Sequence, residues 1–157
     1  MINRFEGEFS FLRNFYELQI PIRIKGVAYY TSEHFYQAHK SLNFADRIWI
    51  AGLPTAAQAK TAGGPKGFDG RKISVRPDLK EVRTEIMYMG LVLKFISNIT
   101  LSEKLINTAP RVLIEGNHWH DNFWGRCSCE KCFNADGQNN LGRLLMMARR
   151  LMFTLQL

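Results

Sequence analysis

The sequence predicts an α+β fold, mostly helical, with a small N-terminal β-hairpin in a single domain over residues 1–157. Three observations predict it. The chain has 157 residues of which 46% are apolar, enough for one sizeable core. Its β-prone, aromatic stretch is confined to the first thirty residues. Helical periodicity dominates the remainder of the chain, and no repeat or low-complexity segment interrupts it.

From the N-terminus, "IPIRI", Lys25-Gly26 and "VAYY" read as strand, turn and strand, with Gly26 in the turn. Thr31 or Ser32 caps the next helix, because a hydroxyl there accepts from an orphan backbone N–H. "ADRIWIAGL" and "TAAQAKTA" read as two short helices, the second starting after Pro54. "GGPKGFDGRK" (63–72) is a loop by its glycines. In "RPDLKEVRTEIMYMGLVLKFISN" (76–98), Val82, Ile86, Met89, Leu93 and Ile96 recur at helical spacing, so that face is expected in the core. Pro77 suits the helix start, where its missing N–H costs nothing. Leu101 to Thr108 reads as a further helix and "RVLIEG" (111–116) as a short strand. In the last segment Leu141, Leu144, Leu145, Ala148, Leu151, Met152 and Leu155 form one apolar stripe, opposed by Arg143, Arg149 and Arg150.

Composition excludes some functions. No apolar run reaches the length of a membrane span, and "MINRFEGEFS" lacks the apolar core of a secretory signal. A soluble, cytoplasmic protein with no membrane partner is expected. The formal net charge of +7 favours phosphate-bearing partners. Three cysteines within six residues make a poor disulfide framework and point to a reducing compartment. Cys127, Cys129 and Cys132, with His118 or His120, make a Cys3His set for a structural zinc. The spacing is compressed relative to paired Cys-x-x-Cys knuckles, and a loop of reduced thiols is the other reading. The 63–72 loop lacks Walker A spacing and the dinucleotide glycine pattern. It reads as a surface loop, although Lys66, Arg71 and Lys72 beside glycine amides could hold a diphosphate.

The stretch "SEHFYQAHK" (32–40) poses the chemical question. At ~100° per residue, Glu33, Tyr36, Gln37 and Lys40 share one stripe, while Phe35, Ala38 and Leu42 face the other way. A solvated helix face gives this pattern. So does a pocket wall, with Glu33 as general acid or base at one end and Lys40 as nucleophile at the other. Helical spacing alone leaves both readings open. His34 and His39 read as surface or packing histidines, His34 nearer the pocket edge.

Five segments in order, "FLRNFY" (11–16), "YYTSEHFYQAHK" (29–40), "RPDLKEVRTEIMYMGLVLKF" (76–95), "DNFWG" (121–125) and "GQNNLGRLLMMAR" (137–149), together resemble the NADAR, or YbiA-like, family. The resemblance spans nearly the whole chain. It implies an N-glycosidase acting between a ribose-type sugar and a base. The implied substrate is ADP-ribosylated guanine in DNA, RNA or a nucleotide, or else a phosphorylated aminopyrimidine of riboflavin synthesis. It implies Lys40 as the amine that forms a Schiff base with the opened sugar and Glu33 as the proton shuttle, with no cofactor required. It further implies Trp124 stacking on a base, Asp121 positioning a hydroxyl or base edge, and Phe11, Asn14, Phe15, Gln37 and Tyr36 lining the pocket. Arg13 departs from the small residue common at its position, and suits either a phosphate or solvent. A non-catalytic module binding ADP-ribose or nucleic acid is the competing class. The oligomeric state is not legible.

Overall fold

The predicted hairpin is formed by β1 (Ile22–Ile24) and β2 (Val27–Tyr29), antiparallel with Ile24 opposite Val27. Lys25 and Gly26 both have positive φ, 48° and 79°, as the twist of a two-residue turn requires. The computed structural model describes residues 1–132 and 134–155. Contacts divide the chain into two units, Asn14–Asn98 and Met1–Arg13 with Ile99–Leu157.

In the first of these, the hairpin is followed by α1 (Ser32–Ala38), α2 (Phe44–Ala51), α3 (Ala56–Ala62) and α4 (Leu79–Ser97). Three of the four starts carry a side-chain cap. Thr31 Oγ1 accepts from His34 N, Asn43 Oδ1 from Ala45 N, and Thr55 makes a reciprocal capping box with Gln58. Each such cap contributes on the order of 1 kcal/mol. Helix α1 packs against α2, α3 and α4, and its Phe35 and Ala38 join Tyr29, Ile50, Met87, Leu91 and Phe95 in the core.

Helix α4 departs from the expected pattern in two ways. It begins at Leu79, not at Pro77, with Asp78 at the cap position in a non-helical conformation and held by Arg76 through two short bonds, Nε to Oδ1 at 2.6 Å and Nη2 to Oδ2 at 2.8 Å. Its buried face is Ile86, Met87, Gly90, Leu91, Lys94 and Phe95, whereas Met89 is 42% and Ile96 50% exposed. The core face is thus rotated from the expected one, and the rotation brings a lysine inside.

The second unit opens with a 3-10 helix, Gly7–Leu12, which takes in the first two residues of "FLRNFY". The strand expected over 111–116 is reduced to one parallel bridge between Leu113 and Ile2 and to Gly116 in a later short strand, with Ile2 N donating to Val112 O and Ile114 N to Ile2 O, each at 2.8 Å. Two-residue strands β3 (Gly116–Asn117) and β4 (Arg126–Cys127) pair in parallel, an arrangement too short to leave a period in the sequence. Helices α5 (Ile99–Ile106) and α6 (Asn140–Leu155) pack together. Of the α6 stripe, Leu141, Leu145, Ala148 and Met152 are buried, while Leu155 is exposed. Arg149 is not on a solvent face. Its Nη1 donates to Thr108 Oγ1 at 2.9 Å and to Arg111 O at 2.8 Å. No helix among the described residues is long and apolar enough to cross a membrane.

Candidate functional site

The polar stripe of α1 is not a solvated face. With three helices packed around α1, Glu33 is 5% exposed, Gln37 4% and Tyr36 6%, whereas the apolar Leu42, expected on the core side, is 61% exposed. Burying a carboxylate and an amide is costly without partners, and these two pair with each other. Gln37 Nε2 donates to Glu33 Oε1 at 2.7 Å. The acceptor in this bond is a Glu33 carboxyl oxygen, which places the amide with its nitrogen toward Glu33. Gln37 Oε1 is then left buried without a hydrogen-bond partner, as is Asn14 Oδ1. Ser32 Oγ is a third such atom, and three buried polar atoms without partners, one of them beside a carboxylate, suit a ligand rich in hydroxyls.

Lys40 ends the stripe. Its Nζ donates to Gly63 O at 3.2 Å and lies 5.1 Å from the centre of the Tyr36 ring. Burial lowers its pKa; the Glu33 carboxylate acts in the opposite sense, and the Lys60 ammonium adds to the lowering. A lysine so placed has a larger neutral, nucleophilic fraction than an exposed one. Gly63 leaves the room that the Gln37 side chain occupies, so a larger residue there would displace the amide. A Cβ at this position would fall 2.9 Å from Gln37 Cδ and closer still to its Oε1.

The segment before the hairpin supports the same helix. Asn14 O accepts from Glu33 N at 3.0 Å, tying "FLRNFY" to the first turn of α1. Phe15 is exposed, with Lys60 Nζ 5.7 Å from its ring centre. Phe15 also lines a cleft of about 590 Å3 with Glu17, Tyr30, Thr31, His34 and residues 51–57. Glu33 and Lys40 are not among the residues that line it. His34 forms part of its wall and is neutral. Nε2 donates to Leu53 O at 3.0 Å, so Nδ1 accepts from Thr31 Oγ1 at 2.8 Å, and burial lowers its pKa. His39 is a packing residue, stacked on Phe35 at 4.0 Å and pushed down to about 4 chiefly by burial.

The 63–72 loop is anchored by Asp46, which accepts from Ser41 Oγ, Ser74 N and Arg71 Nη2 at 2.8, 2.9 and 3.1 Å. Burial alone would raise the Asp46 pKa, and these donors more than offset it. Arg71, also 4.5 Å from the Trp49 ring centre, is thereby committed to the fold. Lys66 and Lys72 are exposed.

Arg13, Asp121, Trp124 and the cysteines belong to the other unit. Arg13 is exposed, with Nη2 3.8 Å from Glu6 Oε1. Asp121 Oδ1 accepts from Phe123 N at 3.1 Å and Trp124 N at 2.8 Å, so this carboxylate oxygen shapes the turn that presents the indole. Trp124 meets Phe123 edge-on at 4.8 Å. Beside the turn, His120 Nδ1 and the sulfurs of Cys127, Cys129 and Cys132 all lie within 4.8 Å of one another. His118 stands outside that cluster. Its Nε2 accepts from Arg4 Nη2 at 2.7 Å, which leaves Nδ1 to donate to Ser128 Oγ at 3.1 Å.

Sequence reasoning missed Gly63, Lys60 and the cleft residues Glu17 and Tyr30. Gly63 and Lys60 are brought to α1 by long-range packing, whereas Tyr30 stands just before the helix and its exposure is what the sequence does not show. Lys60 yields a test. It disfavours the charged form of Lys40, so Lys60→Ala should raise the Lys40 pKa and move the alkaline rise of kcat/KM to higher pH. An unmoved profile, measured across pH 6 to 11, would show that Lys40 does not set that limb.

A family profile described as the NADAR domain matches residues 3–152. An N-glycosidase of Nostoc punctiforme is 33% identical over 128 residues, covering 82% of this chain and 77% of that protein. A chloroplastic riboflavin biosynthesis protein of Zea mays is 34% identical over 127 residues, which cover 76% of this chain but 19% of that protein. The NMR structure of Escherichia coli YbiA aligns with a TM-score of 0.77 at 27% identity, over 99% of this chain and 89% of that one. The chain therefore belongs to the NADAR domain family, a family of hydrolases that act on N-glycosyl bonds.

Proposed function

We propose that this protein removes ADP-ribose from ADP-ribosylated guanine, in nucleic acid or a nucleotide, through a Schiff base on Lys40. The observation that carries this reading is the Lys40 amine, its pKa lowered by burial, on the same helix face as the buried Glu33. Glu33 protonates the ring oxygen, the C1–O bond of the sugar breaks, and C1 is left as an iminium with the base nitrogen. The neutral Lys40 amine adds to C1. The base nitrogen takes a proton and leaves with the electrons of the C1–N bond, and an imine between C1 and Nζ remains. Water adds to it, the C–Nζ bond breaks, and the sugar leaves as an aldehyde that recloses, returning the amine. Glu33 moves the protons, and Gln37 Oε1 and Asn14 Oδ1 accept from sugar hydroxyls.

The cleft walled by His34 has the size of small-ligand sites and carries two exposed aromatic rings, Phe15 and Tyr30, suited to a nucleobase. The net charge of +7 favours a nucleic acid or diphosphate. The reaction belongs in the cytoplasm, where the three thiols stay reduced. The lysine chemistry needs no metal.

A second reading, a glycosidase on a phosphorylated aminopyrimidine, is favoured by the match to the Zea mays protein. The test is parallel incubation with DNA bearing ADP-ribosyl-guanosine and with the phosphorylated ribosylaminopyrimidine. Release of ADP-ribose from the first supports the proposal. Turnover of the second alone transfers the function to the pyrimidine. Binding without cleavage of either, with strong salt dependence, makes the protein a binding module.

A further inference from the structure

We infer that His120, Cys127, Cys129 and Cys132 bind one Zn2+ in a closed Cys3His site that clamps the turn carrying Trp124. The site is independent of the reaction proposed for Lys40.

The four donor atoms lie within 4.8 Å of one another, and His120 Nδ1 is already 3.2 Å from Cys129 Sγ and 3.4 Å from Cys132 Sγ. Tetrahedral zinc, with bonds of about 2.3 Å to sulfur and 2.0 Å to nitrogen, has donor-to-donor edges of roughly 3.5–3.8 Å. Small side-chain shifts therefore close the site. Three soft sulfurs and one imidazole select zinc over magnesium or calcium, which take oxygen ligands. One disulfide would use only two of the three thiols and leave the third beside the imidazole, whereas a metal engages all four groups.

The surroundings fit a metal-bound thiolate. His120 N donates to Cys127 Sγ at 3.3 Å, and Asn122 Oδ1 fixes the Cys127 backbone by accepting its N–H at 2.9 Å. His120 itself is held at φ 66°, a left-handed conformation that aims its ring at the sulfurs. Among the described residues, regular structure around the cluster is limited to the two-residue strands and the 3-10 turn Glu130–Cys132. The ligands bracket the functional turn: His120 precedes Asp121, and Cys127 follows Gly125 by two residues. With four protein donors and no open position, the site is structural.

The test is metal analysis of the full chain, compared with its variants. About one zinc per chain is expected after dialysis, with thiols that react slowly until a mercurial or chelator releases the metal. Cys129→Ser should weaken zinc binding by at least about 100-fold, beyond the 10–100-fold typical of outer-shell changes. His120→Cys, which keeps four ligands, should retain zinc, and His118→Ala should retain it fully. Should Cys129→Ser fail to fold, thiol reactivity of the unaltered chain, first stripped of metal by a chelator and then compared with and without added zinc, decides alone. Thiols that react equally fast in both conditions overturn the inference. So does iron in place of zinc, or zinc lost equally from His118→Ala.

Discussion

Replacing Lys40 by alanine should lower turnover of ADP-ribosyl-guanosine by roughly 10^3-fold or more, the scale on which removal of a nucleophile acts. The folded state should survive the change. Lys40 donates one hydrogen bond, to Gly63 O at 3.2 Å, and its amine is disfavoured in its charged form by burial, so its removal relieves as much as it removes. Lys40→Arg is the informative companion. A guanidinium keeps the charge and can reach the same carbonyl, but it does not deprotonate and cannot form the imine. Both variants should be equally inactive with near-native melting temperatures. Activity retained by the arginine variant would mean that position 40 supplies only a positive charge, and the nucleophile would have to be a water activated by Glu33.

The second large effect is one of stability. Lys94 is fully buried on α4, its Nζ 5.2 Å from the Phe95 ring centre and 5.7 Å from that of Tyr16, and burial pushes it down to about 7. In the unfolded chain its pKa returns to about 10.4. Between those values the unfolded state holds one more proton than the folded state, so stability rises with pH across that window and is lowest below about 7. Lys94→Met keeps the volume and removes the proton demand. It should stabilise the protein at pH 7 by on the order of 2–4 kcal/mol, with the gain fading as pH nears 10.4. Denaturant titrations at pH 7 and pH 10 measure both. An effect of Lys94→Met that is equal at the two pH values would contradict a Lys94 pKa lowered by burial.

Some of this is legible in the sequence for identifiable reasons. The Lys25-Gly26 turn, the hydroxyl cap at Thr31 and the α6 stripe are encoded by neighbours within a few residues, and each stands where local chemistry puts it. Periodicity misplaces the α4 face because Met89 and Ile96 satisfy helical spacing as well as Met87 and Leu91 do; only packing against α1 decides which face turns inward. Lys94 is hidden in the same way, since a lysine within an apolar run reads as solvent-facing. The choice between a solvated helix and a pocket wall at 33–40 lies beyond periodicity altogether. It turns on α2 and α3 covering α1, and those contacts come from residues distant in sequence, such as Gly63, which is 23 positions from Lys40. Nor does the sequence show that His120 stands by the cysteines while His118 meets Arg4, which lies 114 residues away.

The central claim is a covalent bond between the Lys40 amine and the sugar. Borohydride added during turnover reduces an imine to a stable amine, so intact-mass and peptide analysis should find ADP-ribose attached to Lys40, and none on the Lys40→Ala protein. Sugar trapped on another residue, or on the Lys40→Ala chain, would contradict the account, as would turnover that proceeds with no trapped adduct at all.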